Sequence, residues 1–154
     1  MRDDFTFPAT LEADPESGET VASFPDVPGA HTSAPTPDGD LTTLRAEAAD
    51  CLEEAVARML ADREPLPTPS APGPGDLLVP LPLRMAAKLA LHRTCREQGI
   101  GVSELARRLD CQLREAQRLL DPKHQTKVDR LAEAVHAIGG PTLALGVHDT
   151  ADAA

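Results

Sequence analysis

Seven prolines fall between residues 65 and 82, in the stretch EPLPTPSAPGPGDLLVPLP. Proline lacks a backbone N–H and holds φ at about −65°, so no helix or central strand can run through such a segment. The chain must therefore fold as two parts around a stiff spacer of polyproline character. Residues 65–76 are read as that linker, with a lobe of residues 1–64 before it and a domain of residues 77–141 after it. Leu77, Leu78, Val79 and Leu81 suit a short strand, and Pro80 marks it as an edge strand.

Before the break, Phe5, Phe7, Ala9 and Leu11 alternate at a period of two, the pattern of a half-buried strand. EADPESGE supplies turn residues, and TVASF returns as a second strand. That strand runs into SFPDVPG, residues 23–29, where two prolines fix the direction of the chain. From 41 to 62, Leu44, Ala48, Leu52, Ala55 and Met59 recur at three- and four-residue spacing and predict an amphipathic helix.

After the break almost everything reads as helix. Pro82 suits a first turn, followed by Leu83, Ala87, Leu91 and Thr94 on one side. In GVSELARRLDCQLREAQRLLDP, Ser103 is expected as the N-cap of a short helix ending at Leu109. A two-residue break at Asp110 and Cys111 leads into a second helix over about 112–120, which Pro122 stops. Val128, Leu131, Val135 and Ile138 form the inner face of a further helix, closed by Gly139 and Gly140. TLALGV, residues 142–147, has the apolar content of a last strand, either across a dimer or folded back on its own domain. The final ADAA is expected to be disordered. The fold class is thus α+β: a short antiparallel sheet with a helix, then an all-α domain.

Charge divides along the same line. The net charge of −10 conceals 15 acidic and 4 basic side chains in residues 1–64, against 7 acidic and 11 basic in residues 82–138. Two partners of opposite charge fit such a chain. Two short helices across a tight turn, braced by neighbours, describe a helix-turn-helix DNA reader. Gln112, Arg114, Gln117 and Arg118 lie opposite the leucines, and Arg and Gln suit guanine and adenine edges. Arg107, Arg108, Lys123 and Lys127 suit phosphates. A helical bundle that carries its arginines only for solubility would share this composition.

Other classes find little support. There are three Phe and no Trp or Tyr, so any core is built of Leu, Val and Ala. No apolar run reaches the roughly 18 residues of a membrane span, and MRDDFTF lacks the basic start of a signal peptide. Cysteines 51, 95 and 111 make no paired framework, which favours a reduced cytoplasmic setting. His92 and Cys95 are spaced to share a metal, yet no second ligand pair follows. His31 and His124 have no base–nucleophile partner, and no phosphate-binding glycine pattern occurs. The acids spread over turns and helix surfaces without a motif that gathers three or four for two-metal hydrolysis. Neither enzyme, metal nor cofactor is expected.

The order of PATLEAD (8–14), SFPDVPGAHT (23–32), AADCLEEAV (48–56), PLPTPS (65–70), LPLRMAAKLAL, GVSELARRLDC, REAQRLL and H-x-TKVDRL (124–131) resembles HicB-family antitoxins with a C-terminal helix-turn-helix domain. TSAPTPDGDLTTLRAEAAD is longer and richer in proline than the T-x-G-D-T stretch of many members, and TVASF lacks their bulkier aromatic. The resemblance implies an N-terminal lobe like a partial ribonuclease H fold, without nuclease function. It also implies a small basic mRNA-cleaving toxin, HicA, as partner, together with operator DNA and a homodimer or tetramer. Glu12, Asp14, Phe24 and Asp26 are the candidate toxin contacts, with Glu16 and Glu19 nearby, although Asp26 also suits a local turn cap. Acidic charge on this lobe would speed encounter with a basic ribonuclease. The alternative is a stand-alone transcriptional regulator whose acidic lobe serves oligomerisation.

Overall fold

The computed structural model describes residues 5–144, and the chain separates into two compact units. The first gathers residues up to Val56 together with Pro67–Pro82. Its strands are β1 (Thr6–Ala13), β2 (Glu19–Ser23), β3 (His31–Pro35) and β4 (Leu77–Pro80), with α1 (Thr42–Ala61) between β3 and β4. The sheet order is β3-β2-β1-β4, and every pairing is antiparallel. β1 serves two neighbours with its two halves. Thr6–Ala9 pair with β4, from Thr6 opposite Pro80 to Ala9 opposite Leu77. Thr10–Ala13 pair with β2, from Thr10 opposite Ser23 to Ala13 opposite Thr20.

The alternation expected in β1 buries Phe7 and Ala9 completely. Leu44, Ala48, Leu52 and Val56 of α1 are equally inaccessible, one per turn, and burying each leucine or valine side chain contributes about 1.5–3 kcal/mol. Arg45 of α1 donates to the Leu78 carbonyl of β4 at 3.1 Å, and the Cys51 thiol lies 3.6 Å from the His31 carbonyl of β3. The helix is thus tied to both edge strands of the sheet.

The first half departs from expectation at two strands. HTSAP, to which residue spacing assigns no element, is the edge strand β3, paired residue by residue with β2 from Ser23 opposite His31 to Glu19 opposite Pro35. Leu77–Pro80 belongs to the same sheet as β1, not to the helical half, because its backbone groups complete the open edge of Thr6–Ala9. It is an edge strand, as Pro80 required.

SFPDVPG forms the reversal from β2 to β3. Phe24 N–H donates to Ala30, Val27 N–H to Phe24 and Ala30 N–H to Val27, all within 3.2 Å. Phe24, Val27 and Ala30 turn inward at 3%, 0% and 6% exposure, so this loop supplies core as well as direction.

The second unit gathers Ala57–Leu66 with the described residues from Leu83 onward. Its helices are α2 (Leu83–Gln98), α3 (Val102–Leu109), α4 (Leu113–Leu120) and α5 (Val128–Ala137). α2 is buried on most sides, from Met85 through Leu91 and again at Thr94 and Cys95. It packs on α4 and α5, while α3 packs on the same two helices. Leu105, Ala106, Ala116, Leu119, Leu131, Ala134, Val135 and Ile138 fill the interior. Gly140 closes α5 against α2. A Cβ there would stand 2.7 Å from both Thr94 Oγ1 and Val135 Cγ1, so no larger residue fits without displacement.

Four local expectations differ. Leu83 is 46% exposed, since the buried stretch of α2 begins at Met85. α3 is capped by Gly101, whose carbonyl accepts from Leu105 N–H at 3.0 Å, and Ser103 stands exposed inside its first turn. The break before α4 spans Asp110–Gln112, with Asp110 in the left-handed region at φ 49° and Gln112 as N-cap. Thr142–Ala144 form no strand, and the rest of the expected 142–147 strand, with the ADAA tail, lies outside the described residues.

Candidate nucleic-acid interface

α4 is eight residues long, and its inner side is set by Ala116 and Leu119. Arg114, Gln117 and Arg118, at i, i+3 and i+4, therefore share the opposite, exposed side. Gln112 is exposed at the N-cap, with its side chain making no capping bond. Beside it Leu113 is 47% exposed, and with Leu83 it is one of two large apolar side chains so open among the described residues. In the sequence Leu113 is indistinguishable from core, because an apolar residue opening a helix usually turns inward. Lys123 and Lys127 are exposed before α5. Among the described residues, the side chains of Arg114, Gln117, Arg118, Lys123 and Lys127 make no hydrogen bond or ion pair.

Arg107 and Arg108 differ. Arg107 donates to both carboxylate oxygens of Glu104 at 2.8 and 2.6 Å, and Arg108 Nε donates to Glu104 at 2.9 Å. These bonds hold the Glu104 carboxyl down to about 2 and raise the Arg107 guanidinium. A phosphate would have to compete with Glu104 for either arginine. Arg130 of α5 grips Glu115 of α4 at 2.6 and 2.9 Å, which fixes one helix on the other.

The C-terminus of α4 is held from α2. The last four carbonyls of a helix have no partner within it, and here each finds one outside. Gln117 accepts from Asp121 N–H at 3.0 Å. Lys88 Nζ donates to Arg118 and Leu119 at 3.2 Å each and to the Asp121 carbonyl at 2.6 Å. His92 Nε2 lies 2.8 Å from the Leu120 carbonyl, which can only accept, so Nε2 carries the proton. Lys88 is fully buried, and burial lowers its ammonium to about 8 against the opposing pull of the Asp121 carboxylate. Burial likewise lowers His92 below the ordinary histidine value. On the page of the sequence, Lys88 looks like one more solvated lysine.

In the sheet unit the four candidate contact residues do not converge. Glu12 is exposed at the end of β1, and Asp14 sits in the turn beyond it. There Asp14 accepts from the Ser17 hydroxyl at 2.7 Å and Glu16 N–H at 2.9 Å, which lowers its carboxyl. Phe24 and Asp26 follow the other end of β2, a full strand away. Phe24 is a core side chain at 3% exposure, shielded by its own unit and so not an open contact residue. Asp26 does not cap its own turn but accepts from Ser70 in the proline segment. A further acidic row lies on α1, where Glu47, Asp50 and Glu54 are exposed at i, i+3 and i+7. Among the described residues no group of three or more His, Cys, Asp or Glu could hold a metal ion, and no helix is long and apolar enough to cross a membrane.

Residues 6–90 match the family model described as the HicB_like antitoxin of bacterial toxin-antitoxin systems. The chain belongs to the HicB-like antitoxin family. Among curated relatives, Antitoxin HicB 2 of Photorhabdus laumondii is 36% identical over 139 residues, covering 90% of this chain and 94% of its own length. Antitoxin HicB of Pseudomonas fluorescens is 32% identical over 140 residues, covering 90% and 93%. Antitoxin HicB of Escherichia coli K12 is 35% identical over 134 residues, covering 86% and 93%. Matches of this extent carry the likeness to HicB antitoxins past residue 90 and into the helices.

Proposed function

We propose that this chain neutralises a small basic mRNA-cleaving ribonuclease of the HicA type and represses its own operon by binding operator DNA. Membership of the HicB-like family supports the antitoxin half of this reading. The partner surface is assigned to the sheet unit, whose exposed acids include Glu12 and the row Glu47, Asp50 and Glu54. Complementary charge speeds encounter and disfavours wrong partners. Phe24 supports this lobe from inside.

The observation that carries the DNA half is the outer side of α4, where the side chains of Arg114, Gln117 and Arg118 are exposed and make no hydrogen bond or ion pair among the described residues. α3 and α4 act as a helix-turn-helix, with α4 in the major groove and its N-terminal residues nearest the bases. Arg114 and Arg118 suit guanine, Gln112 and Gln117 adenine, and Leu113 the methyl group of thymine. Lys123 and Lys127 hold phosphates, with Arg107 and Arg108 as further backbone contacts once Glu104 yields them. One such reader covers few base pairs, so two chains on half-sites about 34–36 Å apart form the binding unit.

The test is rescue in cells. A small basic ribonuclease encoded beside this gene is expressed alone and then with the full chain. Cleavage of mRNA that stops on co-expression supports the antitoxin. Continued cleavage, or a sequence-selective DNA binder with no such neighbour, makes the chain a stand-alone regulator instead.

A further inference from the structure

Arg84, Lys88 and His92 stand at i, i+4 and i+8 along one side of α2, and all three end on α4 or the loop that follows it. Arg84 Nε donates to the Thr126 carbonyl at 2.9 Å, and a second guanidinium nitrogen meets Gln125 Oε1. Lys88 takes the Arg118, Leu119 and Asp121 carbonyls, and its Nζ lies 3.2 Å from Thr126 Oγ1. The Thr126 hydroxyl in turn lies 3.4 Å from the Arg118 carbonyl and 2.9 Å from His124 Nδ1. His92 takes Leu120.

A buried ammonium is expensive to desolvate, and an apolar side chain of similar length would fill the same space at less cost. What the apolar side chain could not do is satisfy three carbonyls at once. Those carbonyls terminate α4, the negative end of its dipole, where a cation is electrostatically favoured. The base-facing residues begin at Gln112 and Arg114, at the end of α4 far from the pinned carbonyls, so where its C-terminus is held decides the direction of the helix. A small tilt about that end would carry Gln112 and Arg114 away from hydrogen-bond reach of a base edge. Glu115, gripped by Arg130, supplies a second anchor on the opposite element.

We infer that Lys88 and His92 are positioning residues for DNA reading: they touch no DNA but pin the C-terminus of α4 so that its exposed side meets base edges in register. This rests on the DNA reading above. It separates two functions along one helix: α4 reads through its N-terminal and outer side chains, and α2 aims it through backbone carbonyls.

The experiment uses the full chain and duplexes containing either its own upstream region or scrambled sequence. For wild type and Lys88→Met, the affinity ratio of specific to scrambled duplex is measured, together with the dependence of affinity on salt. The variant is expected to lose the ratio by about tenfold or more. The slope of log K against log salt on scrambled DNA stays unchanged, because no phosphate contact is removed. A contact that served folding alone would reduce the active fraction and leave the ratio intact, and that result overturns the proposal. Should Lys88→Met not fold, His92→Leu and His92→Gln replace it. Leu loses the donor and is expected to lower the ratio, while Gln restores a donor and recovers it. Equal ratios in the two overturn the proposal. A wild-type chain with no sequence preference overturns the DNA reading itself, and the positioning role with it.

Discussion

Asp26 Oδ2 accepts two hydrogen bonds of 2.9 Å from Ser70, one from its backbone N–H and one from its hydroxyl, across 44 residues of sequence. The proline-framed loop after β2 thereby holds the proline-rich segment that leads back to β4. The contact explains how a stretch with few backbone donors lies against its own sheet unit. Carboxylate bonds of this kind contribute more than neutral ones, though half-exposure reduces them. Asp26→Ala is expected to cost about 1 kcal/mol of stability. The Ser70 amide should also lose its protection from hydrogen exchange. Unchanged protection at Ser70 would show that the segment is held by its prolines alone.

On α4 and the loop after it, the residues proposed to face bases and those proposed to face phosphates should separate by experiment. Arg114→Ala and Arg118→Ala are each expected to weaken specific binding by about 1–3 kcal/mol and to relax preference at one base position. Lys123→Ala and Lys127→Ala should weaken all sequences alike and reduce the salt slope by about one each. Titrations at several salt concentrations on matched and mismatched duplexes distinguish the two patterns. A uniform loss from Arg114→Ala would move that residue to the phosphate group.

Glu104 sets a pH dependence with a definite sign. Hydrogen bonds from Arg107, and then from Arg108, hold its carboxyl at about 2 in the folded chain, against an ordinary value of 4.5. The depressed value means the contribution to stability is complete above about 4.5 and is lost as pH falls through about 2. Wild type should therefore lose its advantage over Glu104→Gln progressively between pH 5 and pH 2 (an interval set by those two values). Chemical denaturation across that range measures it. A gap between the two that stays constant would mean the ion pairs with Arg107 and Arg108 do not form in solution.

Much of this was legible in residue spacing, and the rest failed for identifiable reasons. Phe7 with Ala9, and Leu44 with Ala48 and Leu52, declare their elements because each buries an unbroken apolar row. β3 buries only Ala34 and exists through its pairing with β2, so HTSAP carries no period to read. β4 looked like the start of the second half because its neighbour in the chain is a helix, while its partner β1 lies some 70 residues earlier. Gly101 caps α3 with backbone alone, leaving Ser103 as the more visible and mistaken choice. The arginines and glutamine of α4 announce an exposed side by their spacing. What aims that side does not, since Lys88 is chemically ordinary until the packing of α2 removes it from water.

On the proposed DNA reading, Leu113 offers the sharpest check on which bases α4 would meet. It is 47% exposed at the first position of the helix, between the exposed Gln112 and Arg114. Arginine and glutamine read polar edges, whereas the thymine methyl is read by apolar contact in the same groove. Leu113 therefore predicts a thymine beside the bases contacted by Gln112 and Arg114. Replacing each operator thymine by uracil removes one methyl and nothing else. One such replacement should weaken the wild-type chain by about 1 kcal/mol, near the value of a single buried methylene-sized group. Leu113→Ala should be weaker on thymine and indifferent to that same replacement, so the two changes together cost little more than either alone. Additive losses would separate Leu113 from the methyl group and place it outside the groove.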